Sequence, residues 1–396
     1  MSTMTDTTRR LLDGTGADHD AHVALHGDLP RISLETVLAE IRRSGLTGRG
    51  GAGFPTAVKV RAVAASRRRP VLVGNAIEGE PLSHKDAVLL ARSPHLVLDG
   101  LELLGRAMRA RRVVLAVTRD QDATTVAAAC LTRRIELAEL EGGFVAGQET
   151  ALVNQLDGGE ALPRDPFTRV SDSGVDGRPT LVLNAETLAQ VGLVARHGAT
   201  WFRSTGADDD PGTSLFTIGG AVLRAGVVEA ARGSRLEEVL APAQPRDATA
   251  VLVGGFHGAW VPATELGVRL TARDLAPFRA SVGAGVLHVL DDRTCPLVFA
   301  ADVADYLAGE SARQCGPCLN GLPRMATDLG RLAAGARDAT LPGDILRMSR
   351  LVNGRGACGH PDGSARFVAS TLDVFRGHVA AHVEGWCPSA QRRIAS

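Results

Sequence analysis

Apolar positions along the chain fall into two rhythms. Leu34, Val37, Leu38 and Ile41 recur at helical spacing behind Ser33, which predicts a helix capped by Ser33 and running through Arg43. Val97, Leu101, Leu104 and Met108 repeat in the same way after Ser93-Pro94, a cap and first-turn pair, and predict a helix to about Met108. The other rhythm is the short, largely apolar run, as at 71–75, 113–117 and 180–184, with a more polar third strand near 135–140. Runs of this kind read as strands buried on both faces, as in a parallel sheet. Further helices are predicted from about Gln121 to Arg133, from the segment 144–150 to Leu156, and from Glu186 to about Arg196. Strands alternating with helices over short connections predict an α/β domain with a mostly parallel sheet and helices on its faces.

Composition shifts divide the chain. Residues 1–30 are polar and aperiodic and predict a mobile tail ahead of an α/β domain over 31–206. The stretch 158–179, rich in Gly, Pro, Asp and Arg, predicts a long surface loop of the kind that often carries function. A Gly/Asp/Pro-rich segment at 206–212 marks a boundary. Two short strands, a helix opened by a Ser234-x-x-Glu237 capping box, a strand at 250–253 and a run at 285–290 predict a small β-grasp-like module over 213–290. From 295 to 396 the pattern is helical, with predicted helices at 297–307, 322–332, 345–352 and 367–379, and predicts a helical bundle carrying cysteines.

The chain's 396 residues suit two or three domains. Lys plus Arg and Asp plus Glu both number 44, so no net charge favours nucleic acid or an anionic membrane as a general partner. Aromatics are 4 % of residues, so the cores must be built from Ala, Val and Leu. No apolar run reaches the roughly 18 residues of a membrane span. Arg9-Arg10 is followed by no apolar stretch, unlike a secretory signal. Together these predict a cytoplasmic protein without membrane insertion.

Candidate chemistry concentrates in three places. The first is Gly48-Arg49-Gly50-Gly51-Ala52-Gly53-Phe54, which runs through Pro55 into a helix bearing Lys59. A glycine-rich loop lets backbone N–H groups approach a ligand, and the helix start behind it favours an anion, usually phosphate. The second is the polar stretch Asn75 to Pro81 at the end of the first strand, where ligands of open α/β sheets bind. The third is Cys315-Gly316-Pro317-Cys318 with Cys358, 40 residues on (358 − 318). Soft thiolates at this spacing suit zinc or an iron–sulfur cluster. A redox C-x-x-C lacks its βαβ context here. Three thiolates are one short of a full set. His360, two residues from Cys358, ranks first as the fourth ligand, ahead of Cys387 and Cys295; an open three-ligand site is also chemically sound.

These pieces, in this order, resemble the flavin-binding subunit of respiratory complex I and its relatives in NAD-linked hydrogenases and formate dehydrogenases, over about residues 30 to 380. Gly48 to Lys59 is similar to GRGGAGFPTGLKW, Asn75 to Asp86 to NADEGEPGTFKDR, and Gly147 to Leu152 to GEETAL. Asn184 to Leu188 is similar to NVETL, and Glu310 to Cys318 to ESCGKCTPC. The resemblance implies FMN beside an NAD(P)H site, a soluble-ligand-binding β-grasp domain, and a [4Fe-4S] cluster in a helical bundle. It implies that Gly48, Arg49, Gly50, Gly51, Ala52, Gly53, Phe54 and Lys59 hold FMN phosphate and the dinucleotide. Asn75, Glu78 and Glu80 are implied on one side of the flavin, and Gly147, Gln148, Glu149, Asn184 and Thr187 on the other. Glu80 and Glu149 are the catalytic candidates of the set, and Cys315, Cys318, Cys358 and His360 the metal ligands. The implied partner is a ferredoxin-like or thioredoxin-like [2Fe-2S] protein that accepts electrons.

Several positions depart from the family pattern. Ile77 replaces its Asp, Gln148 the first Glu of GEE, Leu183 an Asn, and Ala312 the first cluster cysteine. Ala62 and Arg169 stand where the family stacks aromatics on adenine. The expected activity is therefore NAD(P)H oxidation through flavin and cluster. The alternatives are an electron-transfer or docking module without a dinucleotide site, and a zinc-bearing structural protein on the same scaffold.

Overall fold

The computed structural model describes residues 10–389 apart from 15, 120–122 and 165–166. The predicted helix start at Gln121 and the outermost chain ends lie outside the described residues. The chain divides into two compact units, Met1–Phe216 with Val227–Ser234, and Thr217–Gly226 with Arg235–Ser396.

The first unit opens with helices α1 (His19–His26), α2 (Leu34–Ser44) and α3 (Thr56–Ala64). Ser33 caps α2 as its position predicts, its Oγ accepting from the Thr36 N–H at 3.2 Å. Strand β1 (Val71–Ala76), helices α4 (Lys85–Arg92) and α5 (Pro94–Ala107), strand β2 (Arg112–Thr118), helix α6 (Thr124–Thr132) and strand β3 (Glu136–Leu140) follow. Helix α7 (Glu149–Leu156), strand β4 (Thr180–Asn184) and helix α8 (Ala185–Arg203) complete the sheet and its cover. All pairings in this sheet are parallel, in the order β3-β2-β1-β4. Successive strands step one way from β1 to β3, and β4 then returns to the opposite side of β1. The crevice beyond the carboxyl ends of β1 and β4 is thus the point where strand order reverses, the place where open α/β sheets bind ligands.

Alternation along β1 builds two cores. Leu72 and Ala76 join Leu96, Leu101, Leu104 and Leu188 of α5 and α8, while Val71 and Val73 join Leu152 and Val153 of α7. At Gly100 a Cβ would sit 2.1 Å from the Leu188 carbonyl oxygen, so only glycine lets α5 and α8 approach this closely.

The amino-terminal stretch, predicted as a mobile tail, is tied down from Arg10 onward. Glu229, on strand β8 (Gly226–Ala231) after β5 (Gly206–Ala207), β6 (Asp210–Pro211) and β7 (Thr213–Gly220), accepts the N–H groups of Arg10, Leu11 and Leu12 at 2.9, 2.8 and 3.3 Å. Arg10 donates to the Phe202 carbonyl at 3.1 Å and stacks over Trp201, and Leu11 is fully buried. His22 of α1 pairs with buried Asp99 at 2.8 Å, and Arg133 and Arg196 reach the same carboxylate at 2.5 and 2.7 Å. The sequence hid this because its anchors are single polar residues without periodicity.

In the second unit, β9 (Ala248–Val253) pairs antiparallel with β10 (Ala259–Pro262) and with β11 (Val286–Asp291), and β11 pairs parallel with the end of β7. Two short helices, α9 (Leu236–Leu240) and α10 (Ala272–Leu275), accompany them. The capping carboxylate of α9 is Glu238, accepting from the Arg235 N–H at 2.9 Å, one residue beyond the predicted Ser234/Glu237 box. The bundle is α11 (Pro296–Gly309), α12 (Leu322–Ala333), α13 (Leu341–Val352), α14 (His360–Val374) and α15 (Arg376–Val383). Trp260 joins bundle to sheet: its ring is fully buried, and its backbone N–H and indole N–H donate to Ser370 and Thr371 of α14 at 2.9 and 3.0 Å. The predicted single helix over 367–379 breaks at Phe375, whose ring packs edge-on against Trp260 and redirects α15.

Burial holds the His26 pKa down at about 4, with His22, Arg196 and His197 adding to the effect and Asp99 opposing it. A histidine depressed in the fold binds its proton first in the unfolded chain, so its stabilisation is complete above about pH 6.5 and is lost as pH falls toward 4. Asp86 and Glu229, raised by burial, act with the opposite sign, so the readout is a difference between proteins. Denaturant unfolding of wild type and His26→Gln, followed between pH 7.5 and 4.5, should show the stability gap shifting against wild type as pH falls; a constant gap refutes the assignment.

Candidate functional site

Asn75, one residue before the end of β1, and Asn184, the last residue of β4, are register partners across the switch point. Asn184 caps α8 by accepting from the Glu186 N–H at 3.0 Å and donates its amide to Asp86 at 2.6 Å. Asn75 donates to the Gly147 carbonyl at 2.9 Å, which draws the 143–149 loop over the strand ends. Beneath them lies a fully enclosed charge cluster: Lys85 Nζ is 2.7 Å from Asp86 and 3.1 Å from Glu186. Glu186 also accepts the Leu215 N–H at 3.0 Å. Sequence reasoning passed over Lys85 and Glu186 as site residues. Their signal was a charged pair at the opening of a helix and an acid in the first turn of another, which is also how ordinary solvated helix starts look.

The glycine loop closes over this cluster. Gly48 N–H donates to the Phe54 carbonyl at 2.8 Å and pinches the loop shut. Arg49 N–H donates to Thr187 Oγ1 at 2.8 Å, and a Cβ on Gly50 would lie 3.2 Å from Asn184 Cβ. Gly51 and Gly53 take φ of 108° and 62°, which side-chain-bearing residues rarely adopt. Gly50 to Phe54 are exposed, and among the described residues no hydrogen bond takes the N–H groups of 50–53. These unpaired amides, in front of α3, fit a phosphate. Pro55 immediately precedes α3 at its cap position. Lys59 on α3 pairs with Glu149 of α7 at 3.0 Å across the crevice.

Arg49 itself points inward. It is 5 % exposed, donates to Thr47 Oγ1 at 3.0 Å and the Pro211 carbonyl at 3.4 Å, and keeps Nε buried without a hydrogen-bond partner among the described residues. Burial lowers its pKa to about 10, with Arg232 adding and Glu186 and Asp210 opposing, so it stays cationic at neutral pH. Gln148 takes over as the cap of α7, its Oε1 accepting from Thr150 N–H at 2.8 Å and Ala151 N–H at 2.9 Å. Glu78 is occupied locally, accepting from Ser83 Oγ at 2.7 Å and Ala87 N–H at 3.0 Å, which fixes the start of α4. Glu80 accepts the Leu82 N–H at 3.3 Å. The structure thus brings Arg49, Gly50, Lys59, Asn75, Gly147, Gln148, Glu149, Asn184 and Thr187 to one crevice, while Glu78 acts through α4.

In the second unit Cys318 lies on a π-helical turn (Pro317–Gly321), a distortion often found at functional sites. Its Sγ is 3.7 Å from that of Cys315. Backbone N–H groups of Ala357 and Cys318 face the Cys315 sulfur and, together with the Cys318 thiol, outweigh its burial and lower its pKa. Burial, Cys315 and Cys358 push Cys318 up to about 12, and burial and Cys315 also raise Cys358. The three thiols therefore share one locus, with amides aimed at their sulfurs in the manner that tunes iron–sulfur centres. Three thiols at one locus supply the soft donors that an iron–sulfur centre takes. His360, ranked first for the fourth, is committed elsewhere: Nε2 is 2.8 Å from the Leu307 carbonyl and Nδ1 3.1 Å from His257. Cys295 and Cys387 gather instead around His382. Ala312 supplies no ligand; its neighbour Arg313 donates its N–H to Cys318, and Ser311 Oγ is buried without a hydrogen-bond partner. In metal-free protein, limited iodoacetamide should alkylate Cys315 well before Cys318, read by peptide mass spectrometry; equal rates contradict the geometry.

Residues 41–193 match the Nuo51 FMN-binding domain, and residues 298–382 the NADH-ubiquinone oxidoreductase-F iron-sulfur binding region. The chain is 30 % identical to an F-type NADH-quinone oxidoreductase subunit, the second of its kind in Rhizobium meliloti, covering 91 % of this chain and 92 % of the relative. It is 31 % identical to the F-type NADH-quinone oxidoreductase subunit of Mycobacterium tuberculosis, covering 89 % and 86 %. It is 29 % identical to the HndC subunit of the NADP-reducing hydrogenase of Solidesulfovibrio fructosivorans, covering 93 % and 82 %. A crystal structure of an NAD+-reducing [NiFe]-hydrogenase superposes with a TM-score of 0.80 at 30 % identity, covering 91 % of this chain and 66 % of that one, so this chain spans about two thirds of that length.

Proposed function

We infer the function of this chain from the family of F-type NADH-quinone oxidoreductase subunits, to which it belongs: it is an NAD(P)H-linked oxidoreductase that works through FMN and a [4Fe-4S] cluster. The observation that carries this reading to particular residues is the row of unpaired amides at 50–53, held over the switch point of a parallel sheet.

Bound FMN would supply the means of accepting a hydride from the nicotinamide and releasing electrons singly to the iron–sulfur centre. The chain's own residues bind and orient. The amides of Gly50 to Gly53 and the Lys59 ammonium would hold phosphate. Arg49 and Thr187 fix the loop to α8, and Asn75 and Asn184 present amides at the crevice floor. Glu80 and Glu149 remain the carboxylates proposed to face the reacting end. Glu149 is held there by Lys59 at 3.0 Å. Cys315, Cys318 and Cys358 would ligate the cluster, and among the described residues no fourth thiol joins them.

The proposed partner is a ferredoxin-like or thioredoxin-like [2Fe-2S] protein, consistent with relatives named as subunits. A cytoplasmic location is proposed; among the described residues no helix is long and apolar enough to cross a membrane.

Anaerobically prepared protein should carry flavin and iron, with absorbance that bleaches on adding NADH or NADPH. Flavin that no dinucleotide reduces would favour a docking module, the reading suggested by the substituted positions Ala62, Gln148 and Leu183. Gly50→Val, which drives a branched side chain onto Asn184, should empty the flavin site while the iron content stays; retained flavin contradicts the loop's role.

Ala312→Cys tests the three-ligand cluster separately. On air exposure wild type should lose iron from the cluster, and the variant, with a fourth thiolate, should hold it at least several-fold longer. Equal loss measured by iron assay and EPR would mean that another group ligates the fourth iron.

A further inference from the structure

Cys295, His382 and Cys387 come from three parts of the second unit: the residue capping α11, the last turn of α15, and the segment after it. Their ligating atoms all lie within 4.8 Å of one another, and among the described residues this is the one such group of three His, Cys, Asp or Glu side chains. Cys295 Sγ is 3.4 Å from His382 Nε2. A tetrahedral ion with metal–sulfur and metal–nitrogen bonds of about 2.3 and 2.0 Å has a sulfur–nitrogen edge of about 3.5 Å.

The surroundings are organised as well. His382 is 2 % exposed, and its Nδ1 lies 3.2 Å from the Leu332 carbonyl. A proton on Nδ1 donated to that carbonyl leaves the Nε2 lone pair aimed at the sulfurs, the arrangement that fixes the tautomer of metal-binding histidines. The Cys387 thiol hydrogen-bonds that of Cys295, and the Leu297 and Val298 amides face the Cys295 sulfur. Two residues beyond Cys387, Ser389 Oγ lies 3.3 Å from His378 Nε2 and 3.5 Å from the Thr294 carbonyl, which holds both ends of the site in place. None of the three ligands belongs to the iron–sulfur set, and Cys295 and Cys387 fall outside the 298–382 match.

We propose that Cys295, His382 and Cys387 bind a single Zn2+ ion that clamps the chain following α15 to the start of α11. Two thiolates and an imidazole form a borderline-soft donor set suited to a d10 ion, with water completing the tetrahedron. Binding displaces the two thiol protons to solvent and moves no electrons.

The test uses the full chain, reconstituted anaerobically with iron and sulfide, exposed to Zn2+ and desalted. Elemental analysis should find one zinc per chain beside the iron. Cys295→Ser and Cys387→Ser should each lose the zinc and keep the iron. The double variant Cys315→Ser/Cys318→Ser should lose iron and keep the zinc. Because a substitution could disturb the carboxy-terminal packing, Co2+ titration of the unaltered chain provides a second reading. Tetrahedral ligand-field bands and a thiolate-to-cobalt charge-transfer band should saturate at one equivalent and be displaced by Zn2+. The proposal falls if no zinc is retained, if zinc follows Cys315 and Cys318 instead, or if anaerobically purified protein holds Cys295 and Cys387 as a disulfide.

Discussion

Burial of the Lys85 ammonium constrains everything around the crevice. An ammonium and the carboxylates of Asp86 and Glu186, removed from water, are tolerated only in mutual contact, because a buried charge left unpaired costs several kcal/mol. Their contact therefore pins the starts of α4 and α8 to the carboxyl ends of β1 and β4. Although burial opposes it, the surrounding carboxylates raise the Lys85 pKa. Burial, with Glu78 and Glu186, pushes Asp86 up to about 6 against the pull of Lys85. Three acids, Asp86, Glu186 and Glu78, act on the Lys85 ammonium. The floor of the crevice leans negative, so an anionic ligand group belongs at its rim.

The rim is built to receive it. Exposed amides at 50–53 and half-buried Lys59 offer positive potential there, while Arg49 is drawn down toward Glu186 and Asp210. Arg49 thereby acts more as a staple between the loop, α8 and the 206–212 turn than as a direct phosphate ligand. An arginine suits that post because its fork satisfies several acceptors while keeping its charge through partial desolvation. The loop's shape thus depends on the same buried network, through Thr187 and Asn184, which sit on the helix that Glu186 anchors.

Periodic features were legible in the sequence. The four strands of the parallel sheet, the Ser33 cap and most bundle helices follow from spacing alone, since burial on one or two faces leaves a repeating signature. The glycine loop was legible because backbone exposure demands residues without side chains. Single polar anchors were not. Glu229 gathers three amides from the amino-terminal stretch, and nothing in its neighbourhood along the chain distinguishes it from a solvated strand residue. The departures from the family pattern become intelligible only in the fold. Gln148 keeps the capping oxygen of a glutamate without its charge, and Leu183 sits in the core beneath α8.

The cysteines separate the two kinds of information most sharply. Cys315 and Cys318 are recognisable because a C-x-x-C motif brings two thiols together locally, and Cys358 joins them from another loop 40 residues on (358 − 318). Cys130 is set apart by burial, which pushes its thiol up to about 11 and leaves it in the core cluster with Val126 and Ile135. Cys295 and Cys387 sit at opposite ends of the bundle's sequence, and no spacing rule pairs them. The final helix breaks at Phe375, whose ring packs against Trp260, and in α15 beyond the break His382 faces the Leu332 carbonyl. Packing of the bundle, not spacing along the chain, thus brings these two thiols to one imidazole.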